Sequence, residues 1–183
     1  MKSRVHFILA LVFFLPSAES LAQLYSVASG KIIFDSNAPQ EDIHAESTAL
    51  TGLMNADQNN FAFSVEIKSF KGFNSDLQQE HFYENYMQTD SYPRATFTGK
   101  LIDKFNPELM NQKLRAKGQL DIHGIKQERI IEIEMKKTTA GFEISSGFNV
   151  LLADHGIVVP KIVFQKIAEN IKVQVKGVMS IKK

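Results

Sequence analysis

Four histidines follow residue 22, His44, His81, His123 and His155, and imidazole is the side chain most readily recruited for metal ligation or proton transfer near neutral pH. None belongs to an HExxH pair or another short ligand spacing, and the nearby carboxylates Glu46, Glu80, Glu84, Asp121 and Asp154 follow no ligand pattern. Ser145, Ser146, Asp154 and His155 contain the residue types of a nucleophilic triad, but no GxSxG elbow presents either serine. Glycine-rich phosphate loops are absent. The chain has no cysteine, which removes thiolate nucleophiles, thiolate metal sites, disulfides and an acylated cysteine at the N-terminus. These patterns predict no catalytic residue, no metal site and no cofactor. His123 and His155 read as turn residues beside Gly124 and Gly156.

The chemistry that remains is apolar. Residues 80–97, EHFYENYMQTDSYPRATF, gather Phe82, Tyr83, Tyr86, Met87, Tyr92 and Phe97 in eighteen positions between segments that alternate apolar and polar residues. Ser75 followed by Gln78 has the form of a capping box with Asp76 in the first turn, and Pro93 requires that the helix be over by Tyr92. A short helix, a turn and a strand entry are predicted. Tyr83 and Tyr86, with Glu84 or Asn85, are the groups there able to meet a polar head on an otherwise apolar ligand.

The flanking segments must position this stretch. Residues 24–34 read as a strand with a bend or bulge at Gly30, residues 35–41 as a turn, and residues 43–53 as either strand or helical turn. Phe61, Phe63, Val65 and Ile67 alternate with polar residues, as do Leu114, Ala116, Gly118, Leu120 and Ile122, then Ile131, Ile133 and Met135. Turns are expected around Gly124 and over residues 138–141. Phe142, Ile144, Phe148 and Val150 continue the apolar face, and a last strand sets Ile171, Val173, Val175, Gly177, Met179 and Ile181 against polar neighbours. Such strands bury one face each only in a sandwich or a barrel, and a barrel also removes exposed edges. The expected fold is all-β, a single antiparallel barrel of about eight strands with one short helix capping an end. Its interior is either packed solid or wide enough for one elongated ligand.

Residues 1–22 read as a signal peptide. Lys2 and Arg4 precede the apolar run of residues 7–15, and Ser20 and Ala22 place small residues for cleavage after Ala22. That run is too short to span a bilayer, which takes roughly 20 residues. The barrel domain is assigned to residues 23–183, and its location to the periplasm or the extracellular medium. Removing Lys2, Arg4 and Glu19 from 21 basic and 20 acidic residues leaves 19 of each, a balance that argues against a nucleic-acid partner. No polybasic patch and no transmembrane segment are evident, and homodimer formation stays open.

The sequence also resembles a known family. Residues 81–101, HFYENYMQTDSYPRATFTGKL, are similar to the signature of the YceI-like family of exported lipid- and polyisoprenoid-binding proteins, in which HF, a short acidic stretch, YP and an aromatic residue precede a strand. Residues 118–124, GQLDIHG, resemble the family's G-x-L-x-I-x-G hairpin, and residues 148–157, FNVLLADHGI, its late segment leading into Gly-Ile. The three blocks fall in the family order across residues 61–178. The usual His-Ser-x-Ile after the first strand is missing from residues 34–43, and Leu152-Ala153 replaces the usual arginine before the late aspartate, which marks a divergent branch. The resemblance implies a lipocalin-like barrel whose lumen takes a long apolar chain, an isoprenoid lipid or quinone. The expected lumen residues are Phe61, Phe63, Val65, Leu114, Leu120, Phe142, Ile144, Val173 and Val175, and the expected mouth residues are Phe82, Tyr83, Tyr86, Met87 and Phe97. The function expected is a non-enzymatic lipid carrier. The alternative is a solid-core envelope or stress protein that works through its surface.

Overall fold

In the computed structural model, which describes residues 23–182, eight antiparallel strands follow one another around a closed barrel and the last pairs with the first. The leader expected at residues 1–22, with its expected cleavage point, lies outside the described residues. The strands are β1 (Leu24–Asn37), β2 (Asp42–Asn55), β3 (Asn60–Glu66), β4 (Arg94–Leu101), β5 (Asn111–Ile122), β6 (Ile125–Thr138), β7 (Gly141–Leu151) and β8 (Asn170–Ile181). Between β3 and β4 runs the one α-helix among the described residues, α1 (Asp76–His81), continued by a π-helical turn at Phe82–Tyr86.

Period-two alternation becomes inward and outward faces as the pleat requires. On β5, Leu114, Ala116, Gly118 and Leu120 are buried between exposed lysines, arginine and glutamine, and on β6 Ile131 and Met135 are buried. Ile181, expected on the inner face, is instead exposed because it lies at the rim where the barrel ends. Outward charges pair across strands, Lys113 with Glu134 at 2.8 Å and Lys117 with Glu128 at 3.1 Å. Both pairs are well solvated, so each contributes little to stability.

Three segments differ from expectation, each for a local reason. β1 does not stop at Phe34 but runs to Asn37, because Asp35, Ser36 and Asn37 keep pairing with His44, Ile43 and Asp42. Ser36 is tolerated there because it faces inward and its Oγ accepts a hydrogen bond from the Ala168 backbone N–H at 2.9 Å. The turn is therefore confined to residues 38–41. Residues 43–53 are strand throughout. Their period is masked because inward positions hold small Ala45 and polar Ser47, and because the register slips opposite a bulge at Gly30. The helix is shorter than the aromatic stretch: Ser75 Oγ caps the Gln78 N–H at 3.1 Å, but Gln78 Oε1 reaches back to the Asn74 N–H rather than to that of Ser75.

Backbone contact is closest where Gly99 on β4 faces Gly118 on β5. A Cβ on Gly99 would lie 2.1 Å from the Lys117 carbonyl oxygen and one on Gly118 2.4 Å from that of Thr98, so side chains are excluded there. The β5–β6 connection is the two-residue turn His123-Gly124, with φ of 54° and 73°. Both residues take the left-handed conformation that matches strand twist, and Gly124 also makes room for the Tyr92 ring.

The core has two unequal halves. At the end where β1 starts and β8 finishes, Tyr25, Phe105 and Phe142 pack edge to face with centroids 5.1 to 5.9 Å apart, joined by Met54, Leu114, Met135 and Met179. Toward the helix-capped end the interior is lined by a second cluster around Leu50, Val65, Ile67, Phe70, Met87 and Ile157.

The packed half predicts that Leu114→Ala costs about 2–5 kcal/mol in urea unfolding, because the aromatic neighbours cannot close the cavity it leaves. At the same end Asp103 accepts hydrogen bonds from the Arg115 backbone N–H at 2.8 Å, from Nε at 3.0 Å and from the terminal guanidinium nitrogen at 2.8 Å. These bonds hold its pKa at about 2, below the ordinary 3.8. The folded value lies below the unfolded one, so this contribution is complete above the unfolded value and is lost as pH falls toward the folded one. Asp103→Asn is expected to flatten that part of the stability profile in urea unfolding at stepped pH.

Candidate functional site

The candidate site is a cavity of about 470 Å³ in the capped half of the barrel. Its walls come from the inward faces of seven of the eight strands, β6 contributing none: Ile32 and Phe34 of β1, Ile43 of β2, Val65 of β3, Ala95 of β4, Leu120 and Ile122 of β5, Val150 of β7 and Val173 of β8. The roof is aromatic. Phe34, Phe70, Phe73 and Phe82 form a cluster with centroid separations from 5.0 to 6.2 Å, and Tyr86 and Met87 complete it.

The cap is tied down at several points. Lys71 and Glu46 exchange two backbone hydrogen bonds of 2.8 Å, and the Ile67 N–H donates to the Pro93 carbonyl at 2.9 Å. The start of α1 is held to the β1–β2 turn by Glu41, whose Oε1 accepts from Gln78 Nε2 at 2.9 Å and from Asn74 Nδ2 at 3.2 Å. The cavity opens beside this tie, where Glu41, Ser75, Gln78, His81 and Lys166 supply a polar rim.

The expected lumen residues divide between the two halves. Val65, Leu120 and Val173 line the cavity, and Val175 packs against the cluster around it. Phe61, Leu114, Phe142 and Ile144 are inward-facing but belong to the aromatic-rich cluster of the other half and do not line this cavity. Phe63 touches both clusters and rests over Gly52, where a Cβ would sit 2.2 Å from its ring. Phe63 is paired across strands with Phe97, and Phe97 packs on Phe61 at 4.9 Å. These rings lie where the two clusters meet.

The expected mouth residues divide as well. Phe82, Tyr86 and Met87 line the cavity, and burial pushes the Tyr86 phenol above its ordinary pKa. Tyr83 turns its hydroxyl away, donating to the Phe70 carbonyl at 2.6 Å, because it is the strut that holds residues 68–70 under the helix. Phe97 does not line the cavity but packs on Phe61 in the other half, since β4 has by then carried the chain into the barrel. Glu84 and Asn85 are exposed and face away from the cavity, so the polar rim belongs to Glu41, Gln78, His81 and Lys166. The sequence held a signal for two of these: the capping box that fixes Gln78, and a carboxylate, Glu41, at the turn facing it.

A second polar arrangement closes the side of the barrel. β6 and β7 pair only from Glu134↔Ser145 to Thr138↔Gly141, five register pairs against twelve for β5 and β6, and then diverge. Residues Leu152–His155 form a 3₁₀ turn that fills the gap. Asp154 accepts an ion pair from Arg129 of β6 at 2.5 Å, and its carbonyl accepts from Gln127 Nε2 at 2.7 Å. Asp154 thus has an arginine partner from β6, although Leu152-Ala153 and not an arginine stands directly before it. His155 is fully buried and donates Nδ1–H to the Ile125 carbonyl at 3.0 Å, while His123 Nδ1 donates to the His155 carbonyl at 3.2 Å. Gln127 and Arg129 occupy inward register positions opposite Leu120 and Gly118, so two polar residues on an inward face were the readable sign of this wedge.

The triad types do not converge. Ser146 Oγ donates to the Glu132 carbonyl at 2.6 Å at the fork, and His155 Nδ1 is committed to Ile125. His44 is paired with Asp35 on the surface at 2.7 Å. Among the described residues no group of three His, Cys, Asp or Glu side chains is placed to hold a metal ion. A larger and more open concavity of about 830 Å³ lies on the barrel wall, where Lys31, Lys113, Glu134, Lys136, Glu143 and Lys176 stand around Met135, Ile144 and Val178.

The fold is shared with solved structures of low sequence identity. A polyisoprenoid-binding domain from Saccharophagus degradans superposes with a TM-score of 0.74 at 13% identity, over 86% of this chain and 98% of its own. BcnA from Burkholderia cenocepacia gives 0.69 at 12%, over 82% and 96%, and the YCEI protein of Campylobacter jejuni 0.54 at 16%, over 99% and 94%. No curated protein matches the sequence. The sequence profile described as the YceI-like domain matches residues 24–179, from the first strand to the last. The chain belongs to the YceI-like family.

Proposed function

We propose that the protein is an exported, non-enzymatic carrier that holds an apolar, isoprenoid-like lipid or quinone in the capped half of its barrel. The observation that carries this reading is the apolar cavity itself, open at its mouth and set beside the aromatic-packed half of the barrel. The polyisoprenoid binding named for the Saccharophagus neighbour supports the ligand class, and the basic, apolar and small-residue order of residues 1–22 supports export. The polar rim is suited to orienting a head group, while the aliphatic and aromatic walls offer nothing but contact. The solid-core alternative is favoured only by the Tyr25, Phe105 and Phe142 half.

The volume sets the length of chain that is sheltered. A dry cavity of about 150 Å³ takes one benzene, roughly 25 Å³ per carbon. By that measure 470 Å³ shelters about fifteen to twenty carbons, and a longer chain must leave through the mouth. At about 0.8 kcal/mol per buried methylene the gross gain is on the order of 12 kcal/mol, comparable with the cost of association.

Native mass spectrometry of protein purified from its own envelope is expected to show a lipid adduct, and the stripped protein to take up isoprenoid alcohols. Protein that is wholly lipid-free and takes up none would sink the reading. Ala95→Phe narrows the cavity by about 100 Å³ and should shorten the best-held isoprenoid alcohol by about four carbons. An unchanged chain-length preference would place the ligand elsewhere.

A further inference from the structure

The connection between β7 and β8 carries an apolar surface that the barrel does not need. Residues 156–168 read GIVVPKIVFQKIA, with Lys161 and Lys166 as the charged residues and no acid until Glu169. Val158, Ile162 and Phe164 are 77%, 92% and 57% exposed. The β4–β5 connection also exposes three, Ile102, Leu109 and Met110 at 45%, 49% and 62%, but Val158 and Ile162 are the most exposed large apolar residues among those described, and of the two connections only this one borders the cavity mouth.

This connection is held in shape and is not a loose tail. The Val163 N–H donates to the Pro160 carbonyl at 2.9 Å, and the N–H groups of Lys166 and Ile167 donate to the Val163 carbonyl at 2.8 and 3.1 Å. The Gln40 N–H donates to the Gln165 carbonyl at 2.9 Å, and Ser36 Oγ holds the Ala168 N–H. One side of the segment, Val163 and Ile167, lines the cavity with Lys166 at its rim, while Ile162 and Phe164 project outward. Across the mouth Leu77 of α1 is 60% exposed and also touches the cavity. Asp76 and Glu80 on α1 are exposed too, so the apolar face is centred on the connection and not on the helix.

We infer that residues 158–166 dock on the surface of a bilayer containing anionic phospholipid, with Val158, Ile162 and Phe164 among the acyl chains and Lys161 and Lys166 at the level of the phosphates. Apolar side chains flanked by lysines, with no carboxylate on the same segment, have the chemistry of an interfacial anchor. Docking in this way sets the cavity mouth against the membrane, so that an apolar chain passes between bilayer and barrel without crossing water. The partner's identity rests on the lipid reading of the cavity. The docking itself does not require any particular ligand.

The test is co-sedimentation of the purified protein with phosphatidylcholine vesicles made with and without phosphatidylglycerol. Wild type is expected to bind the anionic vesicles more tightly, with salt weakening the difference. Ile162→Ser with Phe164→Ser should reduce binding by about tenfold or more, and Ile130→Ser should not. Lys161→Gln with Lys166→Gln should remove the preference for phosphatidylglycerol. Wild type that binds neither vesicle, or a double serine variant that binds as wild type does, overturns the inference. So does a dimer that the same two substitutions dissociate in protein that binds no vesicle, which would assign the face to a second copy. Uptake of a fifteen-carbon isoprenoid alcohol in vesicle-free buffer, read by native mass spectrometry, should be unchanged in the double serine variant because neither side chain lines the cavity. Vesicle binding without uptake by any form would overturn the carrier reading and leave the docking in place.

Discussion

Closure of the sheet through β1 and β8 is the constraint on which everything else in this barrel depends. Pairing from Tyr25↔Ile181 to Asp35↔Lys172 satisfies both edges at once, so the circumference is set by eight strands and their stagger. An interior of fixed girth must then be filled by side chains, by ligand or not at all. Where Tyr25, Phe61, Phe105 and Phe142 point inward the space is full. Where Val65, Ala95 and Val173 do so it is not. The same backbone thus supports a rigid plug and a cavity, and the size of the inward side chains decides where one gives way to the other. Phe63 and Phe97, facing each other across β3 and β4, mark that boundary.

The segments outside the sheet do work that strands cannot. A strand presents alternate side chains and leaves the ends of the barrel open, so covering an end needs a segment with a different period. The helix and its π turn bring Phe82, Tyr86 and Met87 onto one surface, and Tyr83 spends its hydroxyl on holding the adjacent backbone. At the side, the divergence of β6 and β7 leaves backbone groups and inward polar residues to be satisfied. The 3₁₀ turn at Leu152–His155 supplies partners for Gln127, Arg129 and the Ile125 carbonyl. Buried polar groups of this kind hold a segment in one place because leaving them unpaired costs about 1–3 kcal/mol each.

Neighbours with this fold share only 12 to 16% of residues with the chain. Tolerance of that degree follows from what the fold asks for. Most positions require only apolar inside and polar outside, a demand that many residues meet. Close approaches such as Gly99 to Gly118 and left-handed turns such as His123-Gly124 ask for particular residues, and they are few.

The sequence alone determined the strand faces, the hairpin at Gly124, the bulge at Gly30, the helix start at Ser75 and the end of the cap before Pro93. Each depends on residues within a few positions of one another, where periodicity and turn chemistry act directly. It also carried the family through three short blocks. It left β2 undecided, because Ala45 and Ser47 on the inward face give no hydrophobic signal until a neighbouring strand is set beside them. The placement of Phe97 against Phe61, Tyr83 as a strut, and Phe61, Leu114, Phe142 and Ile144 in the packed half was decided by tertiary structure alone. Alternation tells which way a side chain points, but how deep it lies along the barrel and what it meets there depend on strand stagger and on residues far away in the chain.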